Sequence, residues 1–378
     1  AGSIFVVEVT GLEGTTIKLV MTALLALVLF YTILGGMFSI VLTDYVQFVV
    51  LSVGLIATTL FAVNELGWEH IVSGIDKLKG ADGFDPFASK AFGTDYVIWM
   101  FFLGLVSCAI WQTAVMRACS ARSVEDVKRI YTWSSIGFLI RFLIPNFLGL
   151  CALVYFADHP GLFPEGLEGK GDTGLQAMPR FLGILLPSGL LGLVVAGMLA
   201  AFMSTHDSYL LCWSSVLTQD VIAPLGGDRM STGSRLKLTR LLIFAIGIFL
   251  LTWSLWYELG QDLWDYMAIT GAIYFTGAFA LLVAGLYWKR ASRVGAYLAL
   301  TVGLSAVLGL KPIQAAIQKG LDLMVDREDG PPIEWDGEII GISTVAASTL
   351  MMVLGSLLFP DREARESTGE TGKEEVTA

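Results

Sequence analysis

The stretch LVMTALLALVLFYTILGGMFSIVLT, residues 19–43, contains no charged side chain. A single acid, Asp44, separates it from a second charge-free stretch, YVQFVVLSVGLIATTLFAVN, residues 45–64. A helix that crosses the hydrocarbon core of a bilayer needs about 20 mostly apolar residues. Both stretches are long enough for that, and they are too uniformly apolar for the short alternating strands of a membrane β-barrel. They therefore predict successive transmembrane helices.

The composition extends this prediction to the whole chain of 378 residues. Hydrophobic residues make up 55% and charged residues 15%, whereas a soluble domain carries about 25% charged residues. The mean hydropathy of +0.69 excludes a typical soluble enzyme and a disordered chain. The net charge of −10 argues against nucleic-acid partners. We therefore expect an all-α polytopic membrane protein surrounded by a lipid bilayer.

The charged residues divide the chain into about nine transmembrane helices. Together they form one predicted transmembrane domain over residues 1–360, and residues 361–378, which are polar and rich in Glu and Thr, predict a disordered cytoplasmic tail. Two loop segments, 68–78 and 312–325, have a helical periodicity that predicts short surface helices. The predicted spans are 16–35, 39–63, 94–116, 131–156, 188–220, 236–258, 264–288, 293–310 and 338–359.

The loops alternate in charge, which predicts their orientation. Basic side chains cluster in residues 117–129, 229–240 and 289–293, whereas the intervening loops are acidic or mixed. Basic loops remain in the cytoplasm. Short basic loops without an extended soluble insert indicate a transporter or channel in the cell membrane, rather than a receptor with a large ectodomain.

Motifs of soluble enzymes are absent from the sequence. It contains no Walker A loop, HExxH, GxSxG or CxxC motif, and only three histidines. We therefore expect no ATP-driven pumping, no catalytic residues and no organic cofactor.

The polar stretch AAFMSTHDS, residues 200–208, interrupts a long apolar span. Helical spacing places Ala201, Ser204, Thr205 and Ser208 on one face, with Asp207 beside them. Hydroxyl, carbonyl and carboxylate oxygens are the ligands that a hard cation such as Na⁺ prefers. The alternative is structural, because Ser and Thr also bond back to the preceding helical turn or join neighbouring helices.

Asp44 and Arg141 are charged residues within the apolar part of the chain, where charges are costly. Asp44 lies towards the cytoplasmic side and either coordinates a cation or holds a helix end. Arg141 lies too deep in its span to reach either surface easily. It either contacts an anionic substrate or pairs with an acidic residue or with backbone carbonyls.

Four motifs resemble those of the solute:sodium symporter family. Tyr31 to Met37 followed by Thr43 to Gln47 is similar to its YT-x-x-GG…TD-x-x-Q element, and Met116-Arg117 with Ser120 to Ser123 is similar to its QR…A-K-S loop. Gly192 to Ser208 is similar to its G-x-x-x-AGL-x-AA-x-MST-x-DS signature, and Leu286 to Ala296 to its LFWKR-A-x-x-x-GA element. The four occur in the family's order.

The resemblance implies a LeuT-type inverted-repeat fold that works by alternating access. It also implies that an N-terminal portion of the family's core, its first helices, is missing here. The implied sodium ligands are the Ala201 carbonyl and the Ser204 and Thr205 hydroxyls. A second sodium site, present in some members, would use Asp44, Ser204, Asp207 and Ser208.

The implied activity is sodium-coupled symport of a small polar organic solute, with Na⁺ as the coupling ion and the solute as the other partner. Residues 104–107 lack the Asn and the gating Tyr of sugar-transporting relatives, so a hexose is not supported. The alternatives are a solute-sensing module with a transporter-like fold, a transporter of another LeuT-type family and, less favoured, an intramembrane enzyme. The oligomeric state is not predicted. Candidate substrate residues are Trp111, Gln112, Arg141, Thr270, Tyr274 and Thr276.

Overall fold

The computed structural model describes residues 5–6, 8–9, 15–87, 93–162, 172–227, 229–256, 263–325 and 337–361, and within these ranges all regular secondary structure is helical. Short 3₁₀ turns cover Gly80–Gly83, Pro160–Leu162 and Leu304–Gly309, and a π-helical turn covers Leu217–Ile222. The α-helices are α1 (Thr15–Leu66), α2 (Trp68–Lys79), α3 (Gly93–Ile110), α4 (Gln112–Cys119), α5 (Val124–Asp158), α6 (Asp172–Leu185), α7 (Ser188–Val216), α8 (Ala223–Leu225), α9 (Thr232–Trp256), α10 (Leu263–Tyr287), α11 (Arg293–Gly303), α12 (Lys311–Val325) and α13 (Gly337–Leu358).

Seven helices in the described part of the chain are long and apolar enough to cross a membrane, or up to eight if one bent pair counts as a span. The first two predicted spans, 16–35 and 39–63, both lie in α1. Gly36 interrupts α1 with φ 57° and ψ −154°, a conformation essentially open only to glycine. The predicted boundary is therefore a break within one long helix rather than a connecting loop.

The bent pair corresponds to a predicted span followed by a predicted surface helix. Residues 293–309 and 311–320 form two helical pieces at 85° to each other. The other predicted surface helix is confirmed as α2, which buries Ile71 and Ile75 on one side. The predicted tail lies outside the described residues apart from Asp361.

One compact unit comprises residues 1–80 and 112–258. Its main helix pair is α1 and α7, which approach closely at Gly197. A Cβ atom at this position would lie 3.2 Å from the Cα atom of Leu51. Small residues permit such close packing of helices inside a membrane. Two apolar clusters complete the unit, one around Val28 and Leu210 and the other around Ile71 and Phe156.

The second unit comprises residues 81–111 and 259–378. Trp99 of α3 is buried with Ala272 of α10 and Ala306 in one apolar cluster. A second cluster contains Met352 of α13 and Ala299 of α11. In this unit, small alanine side chains allow the helices to pack closely.

Large apolar side chains remain exposed along the spans. Phe38, Trp133 and Tyr287 are among the most exposed. Such a surface would be unfavourable in water, but lipid tails are as apolar as these side chains. The arrangement is that of a protein whose solvent is the bilayer.

Candidate cation site

The three implied ligands of the main sodium site come together on α7. The Oγ atom of Ser204 donates a hydrogen bond to the Ala201 carbonyl at 3.2 Å, and Oγ1 of Thr205 donates to the same carbonyl at 2.9 Å. The hydroxyl protons thus bond back to the preceding turn, as the structural alternative predicts. Each hydroxyl oxygen still has lone pairs that accept. Three oxygens of one helical turn therefore lie side by side.

Asp207 and Ser208 lie deeper in the same unit, with exposed fractions of 0% and 6%. Tyr31 of α1 donates its hydroxyl proton to Oδ2 of Asp207 at 2.6 Å. Oγ of Ser208 lies 2.6 Å from the Ser204 carbonyl and 3.0 Å from Oδ1 of Asp207. Hydrogen bonds satisfy this buried carboxylate, as the cost of burying charge requires.

Arg117 of α4 joins Asp44 to Ser208. Its Nη2 atom donates to Oδ2 of Asp44 at 2.6 Å and to Oγ of Ser208 at 2.6 Å. The side chains of Arg117 and Asp44 are 33% and 23% exposed, respectively. The structure therefore brings Asp44, Asp207 and Ser208 into one network, and this network contains a guanidinium.

Oδ1 of Asp44 and Oε1 of Gln47 lie one helical turn apart in α1, and both are buried without a hydrogen-bond partner among the described residues. Oxygens of this kind suit a hard cation. The residues of the predicted second site thus have the chemistry for Na⁺, but one carboxylate oxygen of Asp44 is engaged by Arg117.

Tyr31 and Arg117 were not predicted as site residues, although both lie in the motifs that define the resemblance. The charge pattern assigned Arg117 to a cytoplasmic loop, whereas the structure places it in the last turn of α4, with a partly buried side chain. A cluster of basic residues in the sequence predicts a cytoplasmic loop. It does not show which of these side chains is partly buried between the helices. The available signal was the position of Arg117 directly after a charge-free span.

Trp111 directly follows the end of α3, and Thr270 and Tyr274 lie on α10. Helix α3 ends at Ile110, Trp111 is not helical, and α4 begins at Gln112. The hydroxyl of Tyr274 donates to the Ile110 carbonyl at 3.3 Å, directly before this break. Thr270, one turn earlier on α10, donates to the Tyr266 carbonyl at 2.6 Å.

Thr276 also lies on α10, Gln112 begins α4 and Arg141 lies on α5. Thr276 is buried and donates to the Ala272 carbonyl at 2.9 Å. Arg141 is exposed on α5 and forms no ion pair within the part of the chain that the structure describes. Gln112 and Arg141 belong to the first unit, whereas Trp111, Thr270 and Tyr274 belong to the second. Their grouping into one substrate site therefore remains a prediction.

The long apolar spans define a polytopic membrane protein. Interrupted helices and polar groups inside such spans are typical of ion-coupled transporters. The comparison with known families makes this specific. The model of the sodium:solute symporter family matches residues 1–303. The chain belongs to this family, and the resemblance of its motifs is confirmed.

Curated relatives support this assignment. The chain is 28% identical to the sodium/sialic acid symporter of Proteus mirabilis, over 78% of this chain and 60% of the relative. It is 27% identical to the sodium/mannose cotransporter of Bos taurus, over 81% of this chain and 55% of the relative. It is 23% identical to sodium/myo-inositol cotransporter 2 of Mus musculus, over 97% and 57%, respectively. The chain thus spans 55% to 60% of the length of these relatives.

A solved structure has the same fold. It is a Na⁺-coupled sialic acid symporter in a substrate-bound outward-open state, described as revealing a novel Na⁺ site. The TM-score is 0.71 at 21% identity, and the match covers 96% of this chain and 71% of that one. The predicted all-α, LeuT-type fold is therefore confirmed.

Proposed function

We propose that the protein carries out sodium-coupled symport of a small polar organic solute across the cell membrane by alternating access. The observation that carries this proposal is the set of three adjacent oxygens on α7, from Ala201, Ser204 and Thr205, in a member of the sodium:solute symporter family. The proposal includes no enzymatic activity and no ATP-driven pumping.

Sodium is the coupling ion in this proposal. The Ala201 carbonyl and the hydroxyls of Ser204 and Thr205 supply oxygen ligands, and other ligands come from elsewhere in the protein. Sodium moving inward releases about 2.3 kcal/mol per charge per 100 mV of membrane potential. Coupling requires that sodium favour one conformer, because equal binding to both would shift nothing.

The solute is a polar organic molecule in this proposal. The relatives named above are described as symporters of sialic acid, mannose and myo-inositol, which all carry several hydroxyl groups. The proposed solute contacts are the indole ring of Trp111, directly after α3, and the hydroxyl oxygen of Tyr274, which donates to the Ile110 carbonyl. Broken helices commonly form the substrate sites of transporters. Thr270, Gln112 and Arg141 are the further candidates.

The test is solute uptake by the full-length protein in proteoliposomes, with an inward gradient of sodium or of choline. A panel containing a hexose, an inositol and a sialic acid would identify the solute. Replacing Ser204 and Thr205 together with Ala should raise the half-saturating sodium concentration by about tenfold or more, because two ligands are lost.

The matched controls are Ser215→Ala on the same helix and Thr252→Ala on α9, which remove hydroxyls away from the site. Both should keep the wild-type sodium dependence. If the Ser204/Thr205 variant retained it as well, the site assignment would be wrong. Sodium-stimulated solute binding without accumulation inside the vesicles would instead support the solute-sensing alternative.

A further inference from the structure

Arg117 contacts two residues of the predicted second cation site. Its Nη2 atom is 2.6 Å from both Oδ2 of Asp44 and Oγ of Ser208. These two residues come from α1 and α7, and they are two of the four that the family resemblance assigns to a second sodium ion. The guanidinium therefore supplies the positive charge that these oxygens would otherwise take from solution.

The contact between Arg117 and Asp44 is incomplete. Arginine pairs most strongly when two nitrogens meet both carboxylate oxygens. Here one nitrogen makes both contacts, and Oδ1 of Asp44 is buried without a hydrogen-bond partner in the described ranges. An unmade hydrogen bond of this kind is costly. The pair is therefore less stable than an ordinary structural salt bridge of the same residues.

Arg117 lies near the C-terminal end of the candidate span that covers residues 93–119, in which Trp111 alone departs from the helix. The helix α4 follows the break at Trp111 and ends at Cys119, before the non-helical residues 120–123. Transporters alternate between states by moving one group of helices against another. A shift of α4 would carry the guanidinium away from Asp44 and Ser208 without moving α1 or α7.

We infer that Arg117 is a tethered cation that competes with a sodium ion for Asp44 and Ser208. A sodium ion bound by the same oxygens would bring a second positive charge next to the guanidinium, and the two charges repel each other. Sodium therefore binds there only when Arg117 withdraws, and Arg117 returns when sodium leaves. Arg117 acts as a positioning residue that links this site to α4, and the inference rests on the proposed sodium coupling.

The experiment measures equilibrium binding of radioactive sodium to the purified full-length protein. Arg117→Gln removes the tethered charge and keeps a polar side chain. We expect it to bind sodium about tenfold more tightly than wild type, or to bind one additional ion per protein. A merely structural Arg117 would give weaker binding instead, because the variant would loosen the fold. The double variant Arg117→Gln with Asp44→Asn should lose the gain.

Arg122→Gln is the matched control, because it removes an exposed charge from the same basic segment. It should bind sodium as wild type does. A second measurement uses wild type alone, in case Arg117→Gln does not fold. Sodium should speed hydrogen exchange in α4 relative to choline, because α4 loses its tie to α1 and α7.

The outcomes separate this inference from the proposed function. If wild type binds no sodium, both fail. If wild type binds sodium but Arg117→Gln binds it no more tightly, the competition is refuted while sodium coupling stands. Unchanged hydrogen exchange in α4 during sodium binding would also refute the competition.

Discussion

At the residue scale, the network around Asp207 shows how a carboxylate is kept inside a span. Tyr31 donates to one of its oxygens, and Ser208 lies within hydrogen-bond distance of the other. Burying a charge costs several kcal/mol unless it is hydrogen-bonded. Tyr31 of the YT-x-x-GG element therefore has a physical role, because it connects α1 to the signature segment of α7.

Tyr31→Phe should destabilise the protein by about 1–3 kcal/mol, because it leaves one oxygen of a fully buried carboxylate without its donor. The measurement is the melting temperature of the purified protein in detergent. Tyr45→Phe is the control, since this tyrosine is exposed on the same helix. Equal melting temperatures for the two variants would contradict the structural role of Tyr31.

At the element scale, the decisive feature is the interruption of α1 at Gly36. The GG pair lies between two charge-free segments, and the structure joins them end to end rather than through a loop. Gly36 adopts φ 57° and ψ −154°. A residue with a Cβ atom would clash with its own backbone at these angles, and glycine has no Cβ atom. The break allows the segment that carries Tyr31 and the segment that carries Asp44 to differ in direction.

Gly36→Ala should destabilise the protein by about 1–3 kcal/mol, because alanine is strained in this backbone conformation. Gly137→Ala is the control, since Gly137 lies within the helix α5 and an added Cβ atom there meets nothing within 4 Å. That change should be neutral or slightly stabilising. Thermal unfolding in detergent measures both, and a wild-type melting temperature for Gly36→Ala would show that the break is not required.

At the scale of the whole molecule, the proposed function is to convert an ion gradient into solute accumulation. With an uncharged solute, the proposed mechanism moves one positive charge inward with each sodium ion, so the membrane potential acts on it directly. It contributes about 2.3 kcal/mol per charge per 100 mV.

Uptake should therefore accelerate when a potassium diffusion potential makes the vesicle interior negative. Replacement of sodium by choline should abolish this response, because no coupling ion is then carried. The measurement is initial uptake at several imposed potentials. Potential-independent uptake would mean that the cycle moves no net charge.

Much of the fold could be predicted from the sequence. A bilayer requires long apolar helices, so charged residues mark their ends, and the extent of spans such as 264–288 follows from this rule. The rule does not say whether two apolar segments are joined by a loop or by a break within one helix. The segments have the same length in either case. Only the structure shows that the boundary at Gly36 is a break within one helix and that α3 ends before Trp111.

The candidate site could be predicted in part. The spacing of Ala201, Ser204 and Thr205 places their oxygens on one helical face, and the structure has them around a single carbonyl. Arg117 could not be placed, because its partner Asp44 is 73 residues away along the chain. Contacts at such a distance depend on how the helices pack.

By itself, the sequence determined the class of protein, its helical architecture, its family and the helical face that carries the proposed sodium ligands. These properties follow from composition, charge spacing and local periodicity, which act within one helix at a time. Only the tertiary structure decided that Tyr31 bonds to Asp207 and that Arg117 bridges Asp44 and Ser208. The physical reason is that a buried charge must find its partner in space, and that partner is selected by helix packing rather than by sequence distance.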